Sequence, residues 1–154
     1  MKLAIFTLVG KEYGVDIKDI KEVIRMRKIT PIPDAAAYVE GVMSLRGRVV
    51  PLINLRKKLG LEIKNNMHLS RIIVTDLKAK SVGMIVDGVS DVLKVEDENI
   101  TPPDEALKDA EYLTGVARVG KRLILLVDIG KFLAGEATKS IANVHKRVEV
   151  KRKG

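Results

Sequence analysis

The chain has 154 residues, of which 46% are hydrophobic and 31% charged. This composition excludes a disordered chain, and the length allows one domain, or two very small ones that share a core. The absence of cysteine excludes disulfides, thiolate metal sites and cysteine nucleophiles, and is consistent with a reducing, cytoplasmic location. No window approaches the roughly 20 apolar residues of a membrane-spanning helix, so direct membrane insertion is not expected.

The net charge of +8 is concentrated at the C-terminus. Residues 139–154 hold six lysines and arginines against one glutamate, which accounts for +5 of the +8. A basic terminus of this kind is more typical of a solvated tail than of a nucleic-acid reader. The chain has five aromatic residues and no evident stacking platform, so nucleic acid is not an expected partner.

The predicted elements, in chain order, are mostly short strands. LAIFTLV (3–9), a turn at Gly10, and the following apolar residues predict a hairpin, and IKEVI predicts a third strand. The run 35–43 predicts a helix with Asp34 as its N-cap. A strand over 48–54 precedes a short helix over 54–60, capped by Asn54 and terminated by Gly60. SRIIVTDL begins a second hairpin, and an acidic linker at 96–98 precedes a last strand and helix.

The same order of elements occurs twice. Residues 41–59 overlie 115–133 without a gap, with Gly41 matching Gly115 and Arg48 matching Arg122. Upstream, residues 13–24 overlie 82–93. The chain is therefore predicted to be mainly β, with two small barrels over about 3–60 and 72–133, because closure removes exposed strand edges. Exchange of strands between the two barrels is left open.

Patterns that carry catalysis are missing. Two histidines cannot form a multi-histidine metal site, and the glycine-lysine pairs lack the other residues of a phosphate-binding loop. The acidic run 96–98 lacks the pattern of a calcium loop, and no serine lies in a nucleophile elbow. We therefore expect no enzymatic activity, no catalytic residue, no metal and no cofactor.

The remaining hypothesis is a protein that works by contact. The series YGVDIKDIKEVI, ITPIPD, VEGVMSLRGRVVPLINLRKKLG, VGMIVDGVSDVL and EYLTGVARVGKRLILLVDIGKFL resembles the CheW-like family of chemotaxis coupling proteins. The resemblance implies two intertwined five-stranded β-barrels of the SH3 or OB kind, with short helices. It also implies an adaptor that joins chemoreceptor cytoplasmic tips to the regulatory domain of the histidine kinase CheA. A coupling protein of a non-flagellar kinase array, and a nucleic-acid-binding β-barrel protein, are the alternatives.

The resemblance also assigns a receptor-binding surface. Arg46, in the turn of SLRGRVV, matches a family arginine on that surface, and Gly47 permits a positive φ there. Glu22 matches a family glutamate, so an Arg46–Glu22 ion pair is predicted to orient the loop. Ser44 replaces the asparagine that the family usually has before L-R-G. Four apolar residues are candidates for an exposed strip that takes a receptor helix: Ile20, Val23, Val89 and Val92.

Gly41 and Val42 match positions near the family's kinase contact. A purely structural role for Gly41, as the end of the 35–40 helix, is the competing explanation. The domain is expected to span 1–135. Beyond it, residues 136–154 form a tail whose apolar spacing predicts a helix, with a docked helix, a basic membrane-proximal segment and a frayed end all left open.

Overall fold

A computed structural model of the chain describes residues 1–63, 68–77, 79–104 and 112–133. These residues form two β-sheets and two short α-helices, so the mainly-β class is confirmed. The predicted tail helix lies outside the described residues. In chain order the elements are β1 (Lys2–Leu8), β2 (Lys11–Asp16), β3 (Glu22–Arg25), β4 (Val39–Leu45), β5 (Arg48–Asn54), α1 (Leu55–Lys58), β6 (Arg71–Leu77), β7 (Lys80–Val86), β8 (Gly88–Lys94), β9 (Ile100–Thr101), β10 (Leu113–Val119), β11 (Arg122–Val127) and α2 (Ile129–Phe132).

Each sheet combines strands from both repeats. The first sheet has the order β8-β1-β2-β11-β10-β9, and the second has the order β3-β6-β7-β5-β4. The hairpin β1–β2 of the first repeat thus lies among strands of the second, and the hairpin β6–β7 lies among strands of the first. The repeats join at four strand pairs, of which β2 with β11 and β7 with β5 are parallel, and β1 with β8 and β3 with β6 are antiparallel. Neither sheet can therefore form from one repeat alone.

The core has three apolar clusters. The largest lies between the sheets and takes buried residues from both, including Phe6 and Ile73. Each sheet also has its own smaller cluster on its other face, with Leu52 at the centre of one and Leu126 at the equivalent place in the other. A strand that buries both faces has a nearly continuous apolar sequence, as β5 does, where residues 50–54 are all buried. In β11 the run LILLV is equally apolar, but Leu123 is 57% exposed.

The predicted five-stranded barrels are wrong in detail. One sheet has six strands, because Ile100 and Thr101 pair with β10, and the ladders end at β8 and β9 or at β3 and β4 without closing. The prediction assumed that closure was needed to remove exposed edges. The edges are instead protected by short length, since β3 has four residues and β9 two, and by charged side chains on β8.

The helix predicted over 35–43 is also wrong. Asp34 has a φ of 62° and caps nothing, and the chain enters β4 at Val39. β4 pairs with β5 over its whole length, so strand pairing takes up residues 39–43 of the predicted helix, and the three alanines lie in the short connection before β4. The helix at 54–60 is confirmed as α1, where the side chain of Asn54 accepts a hydrogen bond from the backbone N–H of Lys57 at 3.2 Å.

Pro51 occupies a position in β5 where a proline costs no hydrogen bond to β4. Its partner on β4 is Val42, and the backbone N–H and C=O of Val42 both bond to Thr30 on the opposite side, at 2.9 and 2.8 Å. The missing N–H of Pro51 therefore faces no acceptor on β4. This arrangement allows a proline in the strand that follows the Arg46 turn.

Candidate functional site

The loop between β4 and β5 is a two-residue turn formed by Arg46 and Gly47. Their φ angles are 49° and 78°, and the flanking Leu45 and Arg48 are paired in the ladder. Two successive positive φ angles match the twist of the flanking strands and make a rigid hairpin connection. A Cβ added to Gly47 would meet no atom within 4 Å, so the glycine is required by the backbone angle and not by space.

Arg46 and Glu22 form a bidentate ion pair, as predicted. Nη1 and Nη2 of Arg46 donate to Oε1 and Oε2 of Glu22 at 2.9 and 2.7 Å. The side chain of Glu22 is 21% exposed and that of Arg46 is 70% exposed, so the turn presents the guanidinium to solvent while one edge of it is held. The hydrogen bond from Arg46 lowers the pKa of the Glu22 carboxyl, and the charges of Arg46, Arg27 and Lys21 add to this effect.

The Arg46–Glu22 ion pair joins the two ends of the second sheet, between which there is no strand ladder. Glu22 belongs to β3 and Arg46 follows β4, and these two strands are the opposite ends of the ladder. The backbone bridge between Thr30 and Val42 and a 3.3 Å hydrogen bond from Arg27 to the carbonyl of Ser44 join the same two ends. The sheet is therefore curled, and side-chain contacts hold the Arg46 turn against β3 where the ladder does not close.

In the second half, a different arginine makes the corresponding ion pairs. Arg122 on β11, which matches Arg48, donates to Glu12 at 2.5 and 3.1 Å and to Asp91 at 3.2 Å. Asp91 on β8 matches Glu22, and the hydrogen bonds from Arg122 and Ser90 lower the pKa of its carboxyl. The turn of this half has Gly120 where the first half has Arg46, so it presents no guanidinium at that position.

A further ion pair, which the sequence analysis missed, lies between the two halves. Arg56 of α1 donates to both carboxylate oxygens of Asp87, at 2.6 and 2.5 Å, and both side chains are mostly buried. Asp87 also accepts the backbone N–H of Val9 at 2.8 Å, in the turn between β1 and β2. The residues are 31 apart along the chain and carry no motif. The fold alone brings them together.

The four apolar candidates lie on equivalent positions of the two halves. Val23 on β3 and Val92 on β8 point outward and are 41% and 53% exposed. Ile20 and Val89 are partly buried and pack against the central cluster. The structure therefore supplies two exposed valines on edge strands, and gives the other two residues a packing role as well.

Gly41 has a structural role different from the one considered in the sequence analysis. It lies inside β4 at a bulge, with a φ of 144°, and a Cβ built on it would be 2.2 Å from the carbonyl oxygen of Thr30. The close approach of two backbones, and not a helix end, requires the glycine. Val42 is 9% exposed beside it and contributes to the central cluster. A bulky residue at position 41 is expected to disturb folding directly, so it cannot serve as a selective test of kinase binding.

No group of three or more histidine, aspartate or glutamate side chains in the described ranges is placed to hold a metal ion. Among the helices of these ranges, none has the length and apolar character needed to cross a bilayer.

Comparison with known proteins gives the family. The model of the CheW-like domain matches residues 2–137. The chain belongs to the CheW family. It is 40% identical to the chemotaxis protein CheW of Klebsiella aerogenes over 144 residues, which cover 92% of this chain and 87% of that protein. It is 31% identical to CheW of Treponema pallidum, with 93% and 88% of the two chains covered.

A solved structure agrees with the fold of this CheW-family chain. The scaffolding protein TtCheW from Thermoanaerobacter tengcongensis superposes with a TM-score of 0.79 at 30% identity, over 88% of this chain and 89% of that one. The family consists of chemotaxis scaffold and adaptor proteins. Members of this family are therefore scaffolds and not known for a reaction of their own, which directs attention to the surface features of this chain.

Proposed function

We propose that this chain is the adaptor that couples transmembrane chemoreceptors to a CheA-type histidine kinase in the cytoplasm. The observation that carries the proposal is the Arg46 turn, in which a guanidinium is 70% exposed yet held in a fixed direction by Glu22. A planar guanidinium fixed in this way can bind a carboxylate or backbone carbonyls of a partner with defined geometry. The activity is docking, without a catalytic step.

The receptor-binding surface is proposed to consist of this turn and its neighbours. Arg46 and Gly47 supply the turn, Glu22 orients it, and Val23 supplies exposed apolar area on the adjacent strand β3. Ile20, Val89 and Val92 are proposed to extend the apolar part of the surface. An apolar strip beside a fixed charge suits an amphipathic receptor helix, in the helix-in-groove mode.

Kinase binding is proposed to involve the edge strand β4 at Gly41 and Val42. β4 is the last strand of its sheet, and beyond it the described chain adds only an isolated bridge to Thr30. The proposed receptor-binding turn and the proposed kinase-binding residues therefore lie on one hairpin. This placement would let one small protein hold both partners at a fixed separation.

The test is reconstitution of receptor control over a purified CheA-type kinase. Arg46→Ala should abolish co-sedimentation with receptor fragments, while its thermal unfolding stays close to that of the parent, because the turn makes no core contact. Arg118→Ala is the matched control, since Arg118 is an exposed arginine on β10 at the position equivalent to Ser44. Full receptor binding by Arg46→Ala would refute the role of the turn.

A further inference from the structure

A groove with an apolar floor and a basic rim lies beside β4. It has a volume of about 510 Å³, and Val42, Met43 and Val49 line its floor. Arg27 and Lys28 form its rim, on the segment that leads from β3 to Thr30. We call this feature the 27–28 groove.

The rim carries a surplus of positive charge. Arg25, Arg27 and Lys28 are all exposed, and Arg48 at the start of β5 is exposed as well. Arg27 donates one hydrogen bond to the backbone carbonyl of Ser44, whereas Arg25 and Lys28 have no ion pair with any other described residue. Glu22, the carboxylate nearby, is already engaged by both nitrogens of Arg46. The surface therefore leaves several cations free for a carboxylate from another chain.

The duplication shows that this charge is not required by the fold. In the second half, the segment that leads from β8 to β9 occupies the equivalent place and carries Glu96, Asp97 and Glu98, all exposed. Both segments end in the same triplet, Ile-Thr-Pro, at 29–31 and 100–102. The same fold thus carries a basic surface in one half and an acidic surface in the other. The sign of the charge on each surface is therefore set by its binding partner and not by the fold.

We infer that the 27–28 groove is a specificity site for an acidic segment of the partner kinase, one that carries carboxylates beside an apolar side chain. The inference rests on the proposed function. The apolar side chain would lie on Val42 and Val49, and the carboxylates would bind Arg27 and Lys28. Charge pairs at the rim of an interface favour the correct partner and speed its association, while apolar contact supplies affinity.

The experiment measures binding of the purified regulatory domain of the CheA-type kinase from the same genome, by calorimetry, at about 50 and about 500 mM NaCl. Arg27→Glu/Lys28→Glu should bind at least about tenfold more weakly at low salt, because two attractive contacts become repulsive. At high salt the affinity of the parent for the kinase domain should fall close to that of the double variant, because salt screens the charge contacts. Lys2→Glu/Lys94→Glu is the matched control, since these exposed lysines face each other on β1 and β8 and change the net charge equally.

Two further measurements separate the possible failures. Lys28→Glu alone should weaken kinase binding without weakening receptor binding, which excludes an effect through Glu22, whose pKa the charge of Arg27 helps to lower. If the parent binds neither kinase nor receptor, the proposed function fails. The inference fails, while the proposed function stands, if the parent binds both partners and either charge-reversal variant binds the kinase as tightly as the parent. The same conclusion follows if the control variant loses as much kinase affinity as the double variant. Self-association of the parent that the double variant abolishes would also overturn it, because the occupant would then be a second copy.

Discussion

Replacement of Gly41 by alanine should destabilise this protein far more than replacement of the equivalent Gly115. The two glycines begin the matched segments 41–59 and 115–133, and each lies at a bulge opposite a threonine carbonyl. At Gly41 a Cβ would be 2.2 Å from the oxygen and 2.7 Å from the carbon of Thr30. At Gly115 the nearest atom, the oxygen of Thr101, is 3.0 Å away, and φ lies outside the left-handed region.

The magnitude follows from two costs. A side chain at a φ of 144° costs about 1–3 kcal/mol, and displacement of a packed backbone to relieve the overlap costs about another 1–3 kcal/mol. Gly41→Ala should therefore lose about 2–6 kcal/mol of a total stability of about 5–15 kcal/mol. Gly115→Ala requires only a small shift of the neighbouring atoms, and the reduced entropy of the unfolded chain partly offsets this cost. The variant should therefore lose about 1 kcal/mol of stability or less.

Urea unfolding followed by circular dichroism measures the free energy of unfolding of both variants. Both should have the m-value of the parent, because neither substitution changes the surface that is exposed on unfolding. Gly41→Ala should unfold at a clearly lower urea concentration, and its Tm should fall by roughly 10 °C at about 2–4 °C per kcal/mol. If both variants lie within about 1 kcal/mol of the parent, then the close approach of Thr30 to β4 does not constrain position 41, and the explanation of this glycine is wrong.

Two other predictions concern the ion pairs. Arg56→Ala should cost about 2–4 kcal/mol in urea unfolding, because it leaves Asp87 mostly buried without its main partner; Arg48→Ala is the exposed control, and an equal loss in both would contradict a special role for Arg56. The Glu22 carboxyl should titrate below an ordinary glutamate in a carbon-detected NMR titration, and Arg46→Ala should move its midpoint upward. Because the folded pKa is the lower one, the stabilisation from Glu22 is complete above the ordinary glutamate pKa and disappears as pH falls through the folded value. An unchanged midpoint in Arg46→Ala would show that the pair does not form in solution.

The strands and turns could be predicted from sequence because their signals are local. Alternation and apolar runs bounded by glycine gave most of the hairpins, and Asn54 with Gly60 gave α1. The alanines at 35–37 indicate a helix that is not present, since propensity is a weak signal and the three residues left before the paired strand β4 are too few to form one. The repeated triplet Ile-Thr-Pro was available in the sequence and would have located both β9 and the bridge at Thr30.

The exchange of hairpins could not be predicted from the same signals. The hairpins β1–β2 and β6–β7 match each other in pattern, so either would satisfy the apolar faces of either sheet. Pairs that depend on this choice, such as Arg122 with Glu12, are 110 residues apart and were missed. Arg46 and Glu22 are 24 residues apart and were found through their resemblance to family positions, before any geometry was available.

The duplication identifies functional residues by the places where the two halves differ. Core positions keep their character, as with Leu52 and Leu126, because both halves need the same packing. Arg48 and Arg122 are also equivalent, but Arg122 binds Glu12 on β2, whereas Ser81 on β7 occupies the matching position beside Arg48, which is exposed. Glu22 is consequently free for the turn residue Arg46, and the second half has glycine at that place. Arg122 reaches Asp91 from within a strand, so a link of this kind does not require an arginine in the turn. The exposed guanidinium at position 46 therefore supports the proposed receptor contact.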